Sequence, residues 1–164
     1  MKRKQYTKHG TLDHTKPNAL AKGKQVPLTS RLDENRLNEF RSLWRSNREG
    51  VIQKMIDSTE EIVYVASLLK NGNLRVRLIA ANALLNAVME GADISSVIQE
   101  LISALKDKDR DVRQGAAAAL GNAARNEETV AITTLALIDA LEAKNFNIRA
   151  YAAKALGISI MEGT

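Results

Sequence analysis

Apolar residues along this chain fall at the three- and four-residue steps of helices, and from residue 58 onward the whole pattern recurs every thirty-six residues. Residues 73–85 read NLRVRLIAANALL, residues 109–121 read DRDVRQGAAAALG and residues 145–157 read NFNIRAYAAKALG. Val76, Val112 and Ile148 share one column, Arg77, Arg113 and Arg149 the next. Ala80, Ala116 and Ala152 form a third, and Leu84, Leu120 and Leu156 a fourth. Columns 81/117/153 and 83/119/155 are alanine throughout. A fixed period of this length predicts an all-α solenoid. Each helix pair leaves one apolar side open, and stacking on the next pair closes it.

Each unit reads as two helices joined by a polar turn. Ser58-Thr59-Glu60-Glu61 has the form of a capping box opening the first unit. Its first helix directs Ile62, Val65, Ala66 and Leu69 inward; the equivalents are Ile98, Leu101, Ile102 and Leu105, then Leu137, Ile138 and Leu141. The second helix carries Val76, Ala80, Ala83, Leu84 and Ala87 on one stripe, where small alanines let neighbouring helices approach closely. Three repeats are predicted over 58–91, 92–126 and 127–164. Residues 29–57 read as capping helices or a degenerate repeat. Ser30 is the expected cap there, Leu37, Phe40 and Trp44 lie at helical spacing, and Gly50 marks an end. Residues 1–28 lack apolar periodicity and hold both prolines, so they are expected to form a flexible basic arm.

The order helix, acidic turn, then D-V-R ahead of A-x-x-A-L-G resembles HEAT-like repeats, in the short variety named after phycobilisome lyases, over roughly residues 58–160. Residues 106–113, KDKDRDVR, carry the resemblance most fully. It implies a right-handed α-α superhelix of about three helix pairs, with the second helices lining an inner concave face. It also implies structural roles for Arg77, Arg113 and Arg149 as ties between turns and helices, with Asp107 and Asp109 pairing with Arg113. Asn71, Asn73, Asn145 and Ala143 stand where other repeats have acids, so this ladder is expected to thin toward both ends. Relatives of this kind most often make protein-binding surfaces, and a few attach bilins or act on alkylated DNA.

Composition narrows the chemistry. Aromatic residues are 4% and hydrophobic residues 45% of the 164, so the core is aliphatic, and the absence of Cys removes disulfides and thiolates. No apolar segment follows the charged start MKRKQYTKHG and none is long enough to span a bilayer, which points to a cytoplasmic protein with no membrane partner. The net charge of +5 is uneven. Residues 1–50 hold 12 Lys and Arg against 5 Asp and Glu, whereas residues 51–164 hold 12 against 14. The basic character belongs to the N-terminal part.

With Ala80 inward, a step of a hundred degrees per residue turns columns 75, 78, 82 and 86, and their equivalents, outward. The candidate protein-binding residues are Arg75, Asn82, Asn86, Asp111, Gln114, Asn122, Asn147, Tyr151 and Lys154. Leu78, Ala118, Ala150 and Ile158 share those columns, and Ile79 and Gly115 flank them with Tyr151. The mixture of amides, small and apolar groups suits a protein surface better than a polyanion. The arm offers Lys2, Arg3, Lys4, Lys8, Lys16, Lys22 and Lys24 as candidate nucleic-acid contacts, against a merely solubilising tail. Arg36, Arg41, Arg45 and Arg48 would extend that positive track onto the cap helix.

His9, Asp13 and His14 lack a fourth ligand and make a poor metal site. With no histidine beyond position 14 and no glycine-rich phosphate loop, no catalytic arrangement, cofactor or small-molecule substrate is expected. The paired carboxylates Glu60/Glu61 and Glu127/Glu128 read as helix-start residues. The expected function is a non-catalytic scaffold or adaptor that binds a protein partner on its concave face. Nucleic-acid or ribonucleoprotein (for example ribosome) binding through the basic N-terminal region is the alternative, and bilin-lyase-like or DNA-repair-like activity a weaker one.

Overall fold

The structure, a computed structural model, describes residues 28–161, and side chains from 33 to 160. The arm lysines and arginine, and His9, Asp13 and His14, lie outside the described residues. Among those described there are eight α-helices and no strand. They are α1 (Leu28–Ser46), α2 (Arg48–Asp57), α3 (Thr59–Ser67), α4 (Leu74–Met89), α5 (Ile98–Ala104), α6 (Arg110–Ala123), α7 (Val130–Leu141) and α8 (Phe146–Met161). Short 3-10 turns, Leu68–Lys70 and Ser95–Val97, extend α3 and lead into α5.

The pairs α3–α4, α5–α6 and α7–α8 stack as an α-α solenoid, and α1 with α2 covers the first pair. The second helices pack on one another, α4 on α6 and α6 on α8, more extensively than the first helices do. That follows from the small residues in the sequence. A Cβ on Gly115 would lie 3.1 Å from the Ala81 methyl, and one on Gly121 would lie 2.8 Å from both the Ala155 carbonyl oxygen and Ile158 Cβ. The closely packed inner row is held under an aliphatic core of Val76, Ala80, Leu84, Val112, Ala116, Leu120, Ala152 and Ala155, all buried.

Helix starts follow the side chains available. Asn73 Oδ1 accepts from Arg75 N at 2.9 Å, Asp109 Oδ1 from Asp111 N at 2.9 Å and Asn145 Oδ1 from Asn147 N at 2.9 Å, so one cap recurs in each repeat. Ser58 caps α3 through Glu61 N, but the reciprocal half of a capping box is not made: the Glu61 carboxylate takes Arg36 Nη2 at 2.8 Å instead. Gly91, at φ +95°, ends α4. Its N–H reaches Val88 O and the next N–H, of Ala92, reaches Ala87 O at 2.8 Å, a geometry that needs glycine.

Four local expectations are corrected. α1 begins at Leu28, so Ser30 lies inside the helix rather than capping it. Gly50 ends nothing; it sits in the first turn of α2, where its N–H bonds to the Asn47 cap and a Cβ would strike that asparagine's side chain. Glu127 and Glu128 precede α7 rather than opening it, and Thr129 anchors the turn by donating to Ala123 O at 2.6 Å. Ile138 and Leu141 are exposed; α7 buries Thr133, Leu137 and Ala140, and among the described residues no helix covers its far side.

Candidate protein-binding face

The inner row of α4, α6 and α8 places most of the expected residues at its surface. Arg75, Asn82, Asp111, Gln114 and Lys154 are exposed, and Asn86, Asn122, Asn147 and Tyr151 are half-buried. Asn122 spends its amide N–H on Ala118 O at 2.8 Å within α6, and its Oδ1 accepts from Arg125. It presents little free hydrogen-bonding capacity to a ligand. Tyr151 is bracketed by two cations: Arg113 Cζ lies 5.4 Å and Lys154 Nζ 5.9 Å from its ring centroid. This cation–aromatic spot on α6 and α8 is the most distinctive chemistry of the face. The repeat columns place Arg113 among the structural arginines, not among the candidate surface residues of this face.

Two residues expected near the surface are not free. Gly115 is buried against Ala81, and Ile158 packs where α8 crosses Gly121. A second helix in this solenoid is covered in two ways, by its own first helix and by the neighbouring second helices. A projection centred on Ala80 alone sees the first and misses the second.

The column arginines do tie turns to helices. Arg113 Nη1 donates to Asp107 O and Lys108 O at 2.7 and 3.0 Å, and Arg149 Nη1 to Ala143 O and Lys144 O at 2.8 and 2.9 Å. The expected pairing of Asp107 and Asp109 with Arg113 is corrected. The Asp107 carboxylate faces Arg77 of the preceding repeat, and Asp109 is occupied in capping α6. The Arg77–Asp107 pair floors a depression of about 600 Å³ on the turn edge of the solenoid, rimmed by Lys70, Lys106, Lys108 and Glu100. Sequence reasoning did not single out this depression, since its walls come from two turns thirty-odd residues apart.

On the cap, Phe40 stacks on Trp44 with centroids 6.4 Å apart and meets Tyr64 of α3 edge-on at 6.2 Å, so both aromatics serve the core. Arg36 is not a free member of a positive track: it lies 3.8 Å above the Tyr64 ring as well as bonding Glu61. Arg41 is half-buried, whereas Arg45 and Arg48 are exposed, with Arg48 over the Trp44 ring at 4.9 Å. Burial raises the Tyr64 pKa above the ordinary tyrosine value, against a lowering by Arg36 and with a further rise from Glu61.

Among the described residues no group of three or more His, Cys, Asp or Glu is placed to hold a metal, and no helix is long and apolar enough to cross a membrane. Residues 98–163 match a family model described as HEAT repeats. No curated protein matches the chain significantly.

Proposed function

As residues 98–163 match HEAT repeats, we propose that the chain is a scaffold or adaptor whose inner helix row binds a protein partner. The observation that carries this reading is the Arg113–Tyr151–Lys154 cluster, set beside exposed Gln114, Asn82 and Asp111 on closely packed helices. A rigid row with one amphipathic aromatic anchor, flanked by cations and amides, suits an acidic or mixed-polarity peptide surface. The test is affinity purification with the full chain and with Gln114→Arg plus Lys154→Glu. The double substitution changes exposed positions, so partner recovery should fall while the helical melting profile is kept. Unchanged recovery with unchanged folding rules out this face.

A second reading, nucleic-acid attachment through the basic N-terminal region, is favoured by Arg45 and Arg48, which are exposed and form no ion pair among the described residues. It predicts binding that falls steeply with salt and disappears when residues 1–27 are deleted. Salt-insensitive binding, or none, removes it.

A further inference from the structure

The outer side of α7–α8 is the third instance of a face whose first two instances are buried inside this same molecule. Leu69 and Leu105 are buried, and Leu141, thirty-six residues on, is 37% exposed. Ala81 and Ala117 are buried, whereas Ala153 is exposed. Val88 and Ala124 are buried, and Ile160 is 72% exposed. In the first two repeats the following helix pair does the covering, as the contacts at Gly115 and Gly121 show. Gly157, one period after Gly121, has nothing within 4 Å of where a Cβ would stand. Ile138, Val130 and Phe146 widen the apolar area.

The arginine column repeats the same relationship. In Arg77, Nη1 holds its own turn while Nε and Nη2 take a carboxylate from the next repeat. In Arg149, Nη1 holds its own turn in the same way, and Nε and Nη2 make no hydrogen bond among the described residues. An apolar helix face bearing a carboxylate beside its turn therefore fits the chemistry of this end.

We propose that the occupant is a second copy of this chain, joined through the same α7–α8 face about a two-fold axis. Two observations select it. Among the described residues the opposite end is polar: α1 buries Phe40 and Trp44 and exposes Asp33, Glu34, Asn38, Glu39, Ser42 and Arg45, so stacking head to tail finds no apolar receptor on them. The α7–α8 face, in contrast, is complementary to itself. Asp139 and Glu142 are exposed near the C-terminal end of α7, and Arg149 lies in the first turn of α8. A two-fold axis running along the helices lays α7 of each copy over α8 of the other. Leu141 and Ile138 then meet apolar surface, and the α7 carboxylates meet Arg149. The interface is isologous and closes at two chains.

Sedimentation equilibrium of the full chain over a dilution series tests this. The mass should rise toward twice the 18.0 kDa of one chain. Leu141→Glu, at an exposed position, should hold the mass at one chain with its circular dichroism unchanged. Arg149→Glu and Glu142→Arg should each weaken self-association by roughly 10-fold or more. An equimolar mixture of those two variants should dimerise again, because each like-charge contact becomes an opposite-charge one. A wild-type chain of single mass at every concentration overturns the proposal. So does a dimer that Leu141→Glu leaves intact, or a mixture that fails to restore pairing while both variants stay folded.

Discussion

Arg77 grips Asp107 across the junction between the first two repeats with a two-point fork, Nε to Oδ2 at 2.8 Å and Nη2 to Oδ1 at 3.2 Å. The same guanidinium donates through Nη1 to Asn71 O and Gly72 O of its own turn, so one side chain fixes two turns and the spacing between them. The arginines one period to either side have no such partner among the described residues. Nε of Arg41 and of Arg113 is buried without a hydrogen bond. At the position equivalent to Asp107, the third repeat has Ala143. The ladder expected from the sequence is thus a single charged rung in the middle of the solenoid.

Removing that rung should be costly, because both side chains are largely shielded from water, 15% and 10% exposed. Asp107→Ala leaves the Arg77 Nε in the state of Arg113 and also takes away the acceptor for the Asp109 N–H. The expected loss is about 2–4 kcal/mol, since breaking one half of a buried pair strands the other charge. Urea unfolding followed by circular dichroism measures it. A loss below about 0.5 kcal/mol, the level of an exposed pair, would mean the fork is solvated in solution.

Ala143→Asp should do the reverse. Arg113 already has its Nη1 anchored on turn carbonyls as Arg77 does, so its guanidinium is preset for a carboxylate at 143. The gain is expected to be about 0.5–1.5 kcal/mol, reduced by the unfavourable placement of an anion just beyond the end of α7. The control is the same substitution with Arg113→Ala present. A gain that survives there does not come from the pair.

The sequence made the solenoid legible because thirty-six-residue periodicity survives in the columns of Val, Ala, Leu and Arg. It did not reveal which neighbour each column touches. A column containing Asp107 and one containing Arg113 look like partners within a repeat, but the 2.8 Å contact runs backward to Arg77. Periodicity does not say which helix faces a neighbour covers either, so Ile138 and Leu141, exposed in the structure, read as core. The Arg113–Tyr151–Lys154 cluster was only half visible, since Tyr151 and Lys154 share α8 whereas Arg113 reaches it from α6.

Gly121 marks the tightest crossing of the inner row. In an open helix, alanine would be favoured over glycine by about 1 kcal/mol. Here the new methyl would meet Ala155 O and Ile158 Cβ, both at 2.8 Å, and a backbone carbonyl cannot rotate away. Overpacking of this kind costs about 1–3 kcal/mol, so Gly121→Ala should be net destabilising. Gly115→Ala, whose nearest neighbour is the Ala81 methyl at 3.1 Å, should lie within about 0.5 kcal/mol of wild type. Thermal melts of the two variants side by side check the ranking, and a larger loss at Gly115 would misplace the α6–α8 crossing.

Tyr64 should limit stability in alkali. Its hydroxyl is buried without a hydrogen-bond partner, and burial raises its pKa. The unfolded chain releases this proton near pH 10, while the folded chain still holds it, so above that point the folded state binds more protons. Stability then falls as pH rises past about 10 toward the folded value, and is unaffected by this group at lower pH. Tyr64→Phe removes both the uncompensated hydroxyl and the titration. At neutral pH the variant should be as stable as wild type or more so, by up to about 1 kcal/mol. The difference between the two should widen in the variant's favour between neutral pH and strong alkali. Chemical denaturation at a series of pH values measures that difference directly, with lysine titration common to both chains. A difference that narrows in alkali would mean that Tyr64 ionises freely in the folded protein.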